Sequence, residues 1–121
     1  MEDTVYQHEL ASVEATFVQL QETLGMDLRK ELLDAYFATQ DECLLKLDLA
    51  LPDQSAQAVI EAAHKLKGAA AQLGAFAMAD HCKCMEQGAR SGRLDQAAEH
   101  LQPIRALASQ LASDLKAPGF K

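Results

Sequence analysis

The chain has 121 residues and a formal net charge of -7, with 49% hydrophobic and 24% charged residues. That length supports one hydrophobic core rather than two, and the acidic balance speaks against nucleic acid as the main ligand, because a phosphate backbone is bound chiefly by Lys and Arg. No apolar run approaches the roughly 18 residues that span a bilayer, and the opening Met1-Glu2-Asp3 is acidic rather than basic as in a secretory signal, so a soluble cytoplasmic protein with no membrane partner is expected.

Trp is absent, Pro occurs three times, and Ala, Leu, Gln and Glu are abundant, which is an all-helical profile. The first helix is predicted from about Glu9 to Leu24, where Leu10, Val13, Phe17, Leu20 and Leu24 recur at spacings of three and four. Thr4 and Gln7 match a capping box that would start it earlier, with Ser12 as a competing cap. Gly25 suits the position past a helix end and Asp27 the cap of the next start. The second helix runs from about Leu28 to Leu49, with Leu33, Phe37, Leu44, Leu47 and Leu51 on or near one stripe that Tyr36 and Cys43 widen. Pro52 and Asp53 break the pattern, and Asp53 or Ser55 can cap a third helix that ends near Leu73, before Gly74.

A fourth helix is predicted from about Phe76 to Ala89, with Met78, Cys82, Met85 and Ala89 in core rhythm, closing in a loop at Gly88 to Gly92. The last segment, about Leu94 to Leu115, repeats Leu94, Ala97, Leu101, Ile104, Ala108, Leu111 and Leu115. Pro103 interrupts it at a cost of about 3 kcal/mol in a helix interior, so the alternatives are a kinked helix or a short helix ending near Leu101 and a final one starting near Pro103. The tail from Ala117 to Lys121 is expected to fray. Short connections between long amphipathic helices predict an all-α fold, an antiparallel four-helix bundle with an extra N-terminal helix. One domain is expected over residues 1–121, with its core at about 10–115, and a bundle with its own core needs no second copy, so a monomer is expected.

Three cysteines, Cys43, Cys82 and Cys84, are an odd number without secretory context, which disfavours a disulfide framework. His81-Cys82-Lys83-Cys84 invites a metal reading, but on a helix Cys82 and Cys84 point roughly 200° apart. His81 with Cys84 supplies only two of the usual four zinc ligands. No metal site is therefore expected, and Cys82 is read as a small core hydrophobe.

The third helix carries the most informative residues. At roughly 100° per residue, Val59, Ala62, Leu66, Ala70 and Leu73 fall in one arc, while His64, Lys67, Gly68 and Ala71 fall in the opposite one. His64 should therefore face solvent. Alanine fills positions 69 to 71, yet position 68 is glycine, which costs on the order of 1 kcal/mol in a helix relative to alanine. Close approach of another molecule's backbone one turn beyond His64 would offset that cost. Lys67 would favour an anion such as a phosphoryl group on the ring, and Lys65, Lys83, Arg90 and Arg93 concentrate further positive charge in the middle third.

The stretch from Ala63 to Ala75, reading AHKLKGAAAQLGA, followed by Cys82 and Met85-Glu86, resembles the histidine-containing phosphotransfer (HPt) domain of bacterial phosphorelays. The match extends over about Leu20 to Leu115. The resemblance implies a phosphoryl carrier rather than an enzyme, one that accepts phosphate from an aspartyl phosphate on a receiver domain of a hybrid sensor histidine kinase and passes it to a response-regulator aspartate. It maps His64 to the phosphorylated histidine, Lys67 to phosphate stabilisation and Gly68 to receiver access. A polar residue on the next helix orients the imidazole in some members. Glu86 or Gln87 could do so here, and spacing does not choose between them. Ala69 stands where the family often has Ser. The resemblance implies no cofactor in this chain, with magnesium on the receiver.

Two other catalytic readings fail on the residues. A kinase dimerisation domain would follow the histidine with an acidic residue and a nearby proline, and no glycine-rich nucleotide-binding stretch is present. A hydrolase would need a nucleophile and an orienting partner by His64, whose neighbours on that face are Ile60, Lys67, Gly68 and Ala71. The non-catalytic alternative is a helical adaptor that docks a signalling partner through the exposed His64 and Gly68 face.

Overall fold

The computed structural model describes residues 3–116, which form six helices and no strand: α1 (Asp3–Leu24), α2 (Arg29–Ala50), α3 (Ala56–Leu73), α4 (Phe76–Arg90), α5 (Leu94–Ala98) and α6 (Leu101–Leu115). No helix among the described residues is long and apolar enough to cross a membrane. Helices α2, α3, α4 and α6 make the four-helix bundle, with α3 packed most extensively on α2 and α4, while α1 lies against α4 and α6. The expected tail at Ala117 to Lys121 lies outside the described residues.

Each junction has a chemical cause. Asp27 begins α2 by accepting the backbone N–H of Arg29 at 3.0 Å, and Ser55 caps α3 by accepting from Ala58. Gly74 ends α3 at φ 91°, where the N–H of Ala75 returns to the carbonyl of Ala70. A Cβ at Gly74 would also lie 2.2 Å from Thr16 Oγ1 on α1, so this turn needs glycine both for its backbone and for the helix laid over it.

The core joins Val13, Leu47, Leu66, Met78, Met85, Ile104 and Leu111, all fully buried. Each such side chain contributes about 1.5–3 kcal/mol of transfer free energy. Cys43 and Cys82 are buried as small hydrophobes, and burial pushes the Cys82 thiol up to about 12.

The structure departs from the sequence expectations in three places. First, α1 begins at Asp3 rather than Glu9, so Thr4 lies within the helix and Ser12 in its interior. Its inner stripe is Tyr6, Glu9, Val13 and Phe17, while Leu24 is exposed because the helix outruns the bundle it lies on. Second, Leu44 and Leu51 are only half-buried, and Gln40 and Ala50 take inner positions on α2. Third, the last segment breaks at Glu99 and His100, before Leu101, and Pro103 sits in the first turn of α6, where its missing N–H has no intrahelical bond to lose.

Candidate functional site

Helix α3 buries Val59, Ala62, Ala63, Leu66, Ala70 and Leu73, which turns the opposite arc outward. The His64 side chain is 66% exposed. One turn on, Gly68 is exposed, and a Cβ built there would meet nothing within 4 Å. No neighbour within the protein requires glycine at this position, in contrast to Gly74.

The ring is fixed from α4. Glu86 shares the inner side of that helix with Cys82, Met85 and Ala89 and is 6% exposed. Its carboxylate meets His64 Nδ1 at 3.2 Å through Oε2 and at 3.4 Å through Oε1. Lys67 Nζ donates to Oε1 at 2.9 Å, and Arg90 donates to Oε2 through its terminal nitrogen at 2.9 Å. Burial alone would raise the Glu86 pKa, but the hydrogen bonds from Lys67 and Arg90, aided by the charge of Lys67, overcome it and hold the group at about 2.

An ionised carboxylate can only accept, so Nδ1 must donate. A neutral His64 ring held this way carries its proton on Nδ1 and leaves the lone pair on Nε2, across the ring and toward solvent. Two cations and one anion surround the imidazole, and Lys67 has two further N–H donors beyond the one engaged by Glu86. The arrangement therefore presents a nucleophilic nitrogen with surplus positive charge beside it.

The structure brings together His64, Lys67 and Gly68 and resolves the choice between Glu86 and Gln87. Gln87 is exposed and borders a different cleft, with Cys84 and His100. Lys67 is less free than its place on the outer arc suggests, since its side chain is 31% exposed and tied to Glu86. Lys65 belongs elsewhere, paired with Glu42 of α2 at 3.1 Å. Arg90 was visible in the sequence only as part of a basic cluster. Its spacing of four from Glu86 on one helix is the signal for the ion pair. Among the described residues, no group of three or more His, Cys, Asp or Glu is placed to hold a metal ion.

A family model described as Hpt domain matches residues 31–114. Among solved structures, the chain is similar to histidine-containing phosphotransfer protein B (HptB) from Pseudomonas aeruginosa PAO1, at 30% sequence identity and a TM-score of 0.76 over 84% of this chain and 88% of that one. No curated protein sequence matches the chain.

Proposed function

The chain belongs to the Hpt domain family, histidine phosphotransfer intermediates of phosphorelays, and we propose that it carries the phosphoryl group on Nε2 of His64. The observation that carries this reading is the exposed ring tethered at Nδ1 by a buried, ionised Glu86. In the forward step the Nε2 lone pair attacks the phosphorus of a receiver's aspartyl phosphate. The P–N bond forms as the P–O bond breaks, and the electron pair of that bond leaves with the aspartate carboxylate. The phosphorylated ring becomes cationic while Nδ1 keeps its proton, and Glu86 offsets that charge. Lys67 stabilises the transferring oxygens with the donors that Glu86 leaves unused. The return step to a response-regulator aspartate reverses these bond changes.

Gly68 gives the receiver's backbone room to approach along α3, supported by the open space where its Cβ would lie. Hpt proteins are carriers rather than hydrolases or kinases, and we assign this chain the same role. In this reading it acts as a monomeric single domain in the cytoplasm and has no cofactor of its own, and the magnesium ion belongs to the receiver. The direct test is to mix the protein with a phosphorylated receiver domain and measure acid-labile, alkali-stable label. Label is expected on the parent chain and should fall to background in His64→Gln; label that persists in that variant overturns the assignment.

A further inference from the structure

A pair of imidazoles lies away from the phosphotransfer face. His81 on α4 and His100, the residue that precedes α6, bring their Nδ1 atoms to 3.1 Å, with ring centroids 5.3 Å apart and planes inclined at 52°. Both residues are half-buried. His81 lies about 140° around α4 from Glu86, so the pair belongs to another surface. We propose that the two rings form an acid-sensitive latch, which holds the α5–α6 junction on α4 while the pair carries at most one extra proton and releases it when both rings are protonated.

The proton count follows from the contact. Between two neutral rings one Nδ1 must donate to the other, so the donor keeps its lone pair on Nε2 and the acceptor carries its own proton on Nε2. A first added proton can enter at the donor's Nε2, which leaves the hydrogen bond in place and makes it charge-assisted. A second has only the accepting Nδ1 left. It removes the acceptor and sets two N–H donors of like charge face to face. Burial, reinforced by His100, holds the His81 pKa below the usual imidazole range and outweighs Asp80, the neighbouring carboxylate that favours the charged ring. Across the contact, Arg93 borders the same cleft as His100 and adds positive charge, while Glu99, next to His100 in the chain, is exposed. Because the His81 pKa is lower in the folded chain, the pair imposes no penalty above the unfolded value of about 6.5 and weakens the fold as pH drops below it. The latched segment is short, since α5 spans five residues. A Cβ built at Gly88 would lie 3.3 Å from the backbone nitrogen of Ala97, so release opens the packing of α4 two residues beyond Glu86.

Amide hydrogen exchange of the whole chain, corrected for the intrinsic effect of pH, tests the latch. The N–H groups of Ala97, His100 and Ile104 bond within the held segment, and their protection should fall at least tenfold between pH 7 and 5 relative to Leu66 and Ala70 in α3. That window lies above the titration of Glu86. His81→Gln and His100→Gln, each leaving one ring that can charge, should reduce the fall to less than twofold, whereas His8→Gln on α1 should leave it intact. Protection that stays flat in the parent overturns the proposal, as does a fall that survives in either of the first two variants or vanishes in the third. Nuclear magnetic resonance of the unsubstituted protein gives a check that needs no variant. The His81 and His100 ring signals should titrate together in two separated steps, with loss of protection at the second, and two independent single-step curves refute the latch.

Discussion

Glu9 on α1 and Glu86 on α4 are both buried, at 3% and 6% exposure, yet opposite chemistries hold them. Glu9 reaches across from α1 to the start of α4, where its two oxygens accept the backbone N–H groups of Ala77 and Met78 at 2.7 and 2.8 Å. Near the other end, Glu86 is held by the charged side chains of Lys67 and Arg90 and by the His64 ring. Burial dominates at Glu9 and raises its pKa despite those N–H bonds, while the cationic side chains hydrogen-bonded to Glu86 drive its pKa down to about 2. Backbone dipoles fasten a helix in place. Charged side chains, which can exchange one anion for another, suit the phosphoryl-accepting role proposed for this surface.

The sharpest way to break this contrast is to substitute each glutamate and read both stability and transfer. Glu86→Ala should slow phosphoryl uptake on the order of a hundredfold, a scale typical of lost positioning, with helicity by circular dichroism retained. Glu9→Ala should leave uptake within about twofold. It should cost roughly 1–2 kcal/mol in urea unfolding, because two buried N–H groups lose their acceptor. Equal losses of transfer in the two variants would erase the distinction.

A smaller effect, in transfer alone, is expected at the outer face. Gly68→Gln should weaken receiver binding at least tenfold in titration while Tm holds or rises, since glutamine is the better helix former by up to about 1 kcal/mol. Affinity equal to the parent's would remove the role assigned to that gap. Lys67→Ala should slow transfer about tenfold in single-turnover assays, and an unchanged rate would show that the ammonium serves only Glu86.

The smallest and most discriminating effect is on the pH dependence of folding. Glu86 is depressed from 4.5 to about 2, so its contribution is complete above pH 4.5 and disappears as pH falls toward 2. Screening of the 60% exposed Arg90 side chain reduces it to on the order of 1–2 kcal/mol. Glu9 is raised above 4.5, so its ionisation penalises the fold as pH climbs through its folded value, and the penalty is absent below 4.5. Urea unfolding between pH 2 and 7 should therefore lose an acid-side fall in stability in Glu86→Gln and a fall with rising pH in Glu9→Gln. Changes of the same sign in the two variants would contradict the comparison.

Much of this was legible in the residues. The spacing in α3 gave the outward histidine and the buried stripe, Gly74 marked its end, and its start was narrowed to Asp53 or Ser55, of which the structure uses Ser55. Glu9 was not legible as a cap, because a charge at a candidate helix start reads as solvated. Its membership of the stripe with Tyr6, Val13 and Phe17 was the available signal that it is buried. Glu86 could not be separated from Gln87 by periodicity, since the two are adjacent and the choice depends on how α4 is rotated against α3. The break at Glu99 and His100 was misplaced toward Pro103 because proline is an obvious stop, whereas the first turn of a helix accepts it.

The vacancy beside Gly68 also bears on fidelity. If a receiver docks over Gly68 as proposed, bare main chain there looks alike to every receiver that can bring its own edge close, and the middle of such a contact can carry little discrimination among partners. In that docking, selectivity would fall to the border of the footprint, at positions such as Ile60 and Ala71, where exchanging one residue could redirect signalling while leaving the proposed chemistry at the centre unaltered.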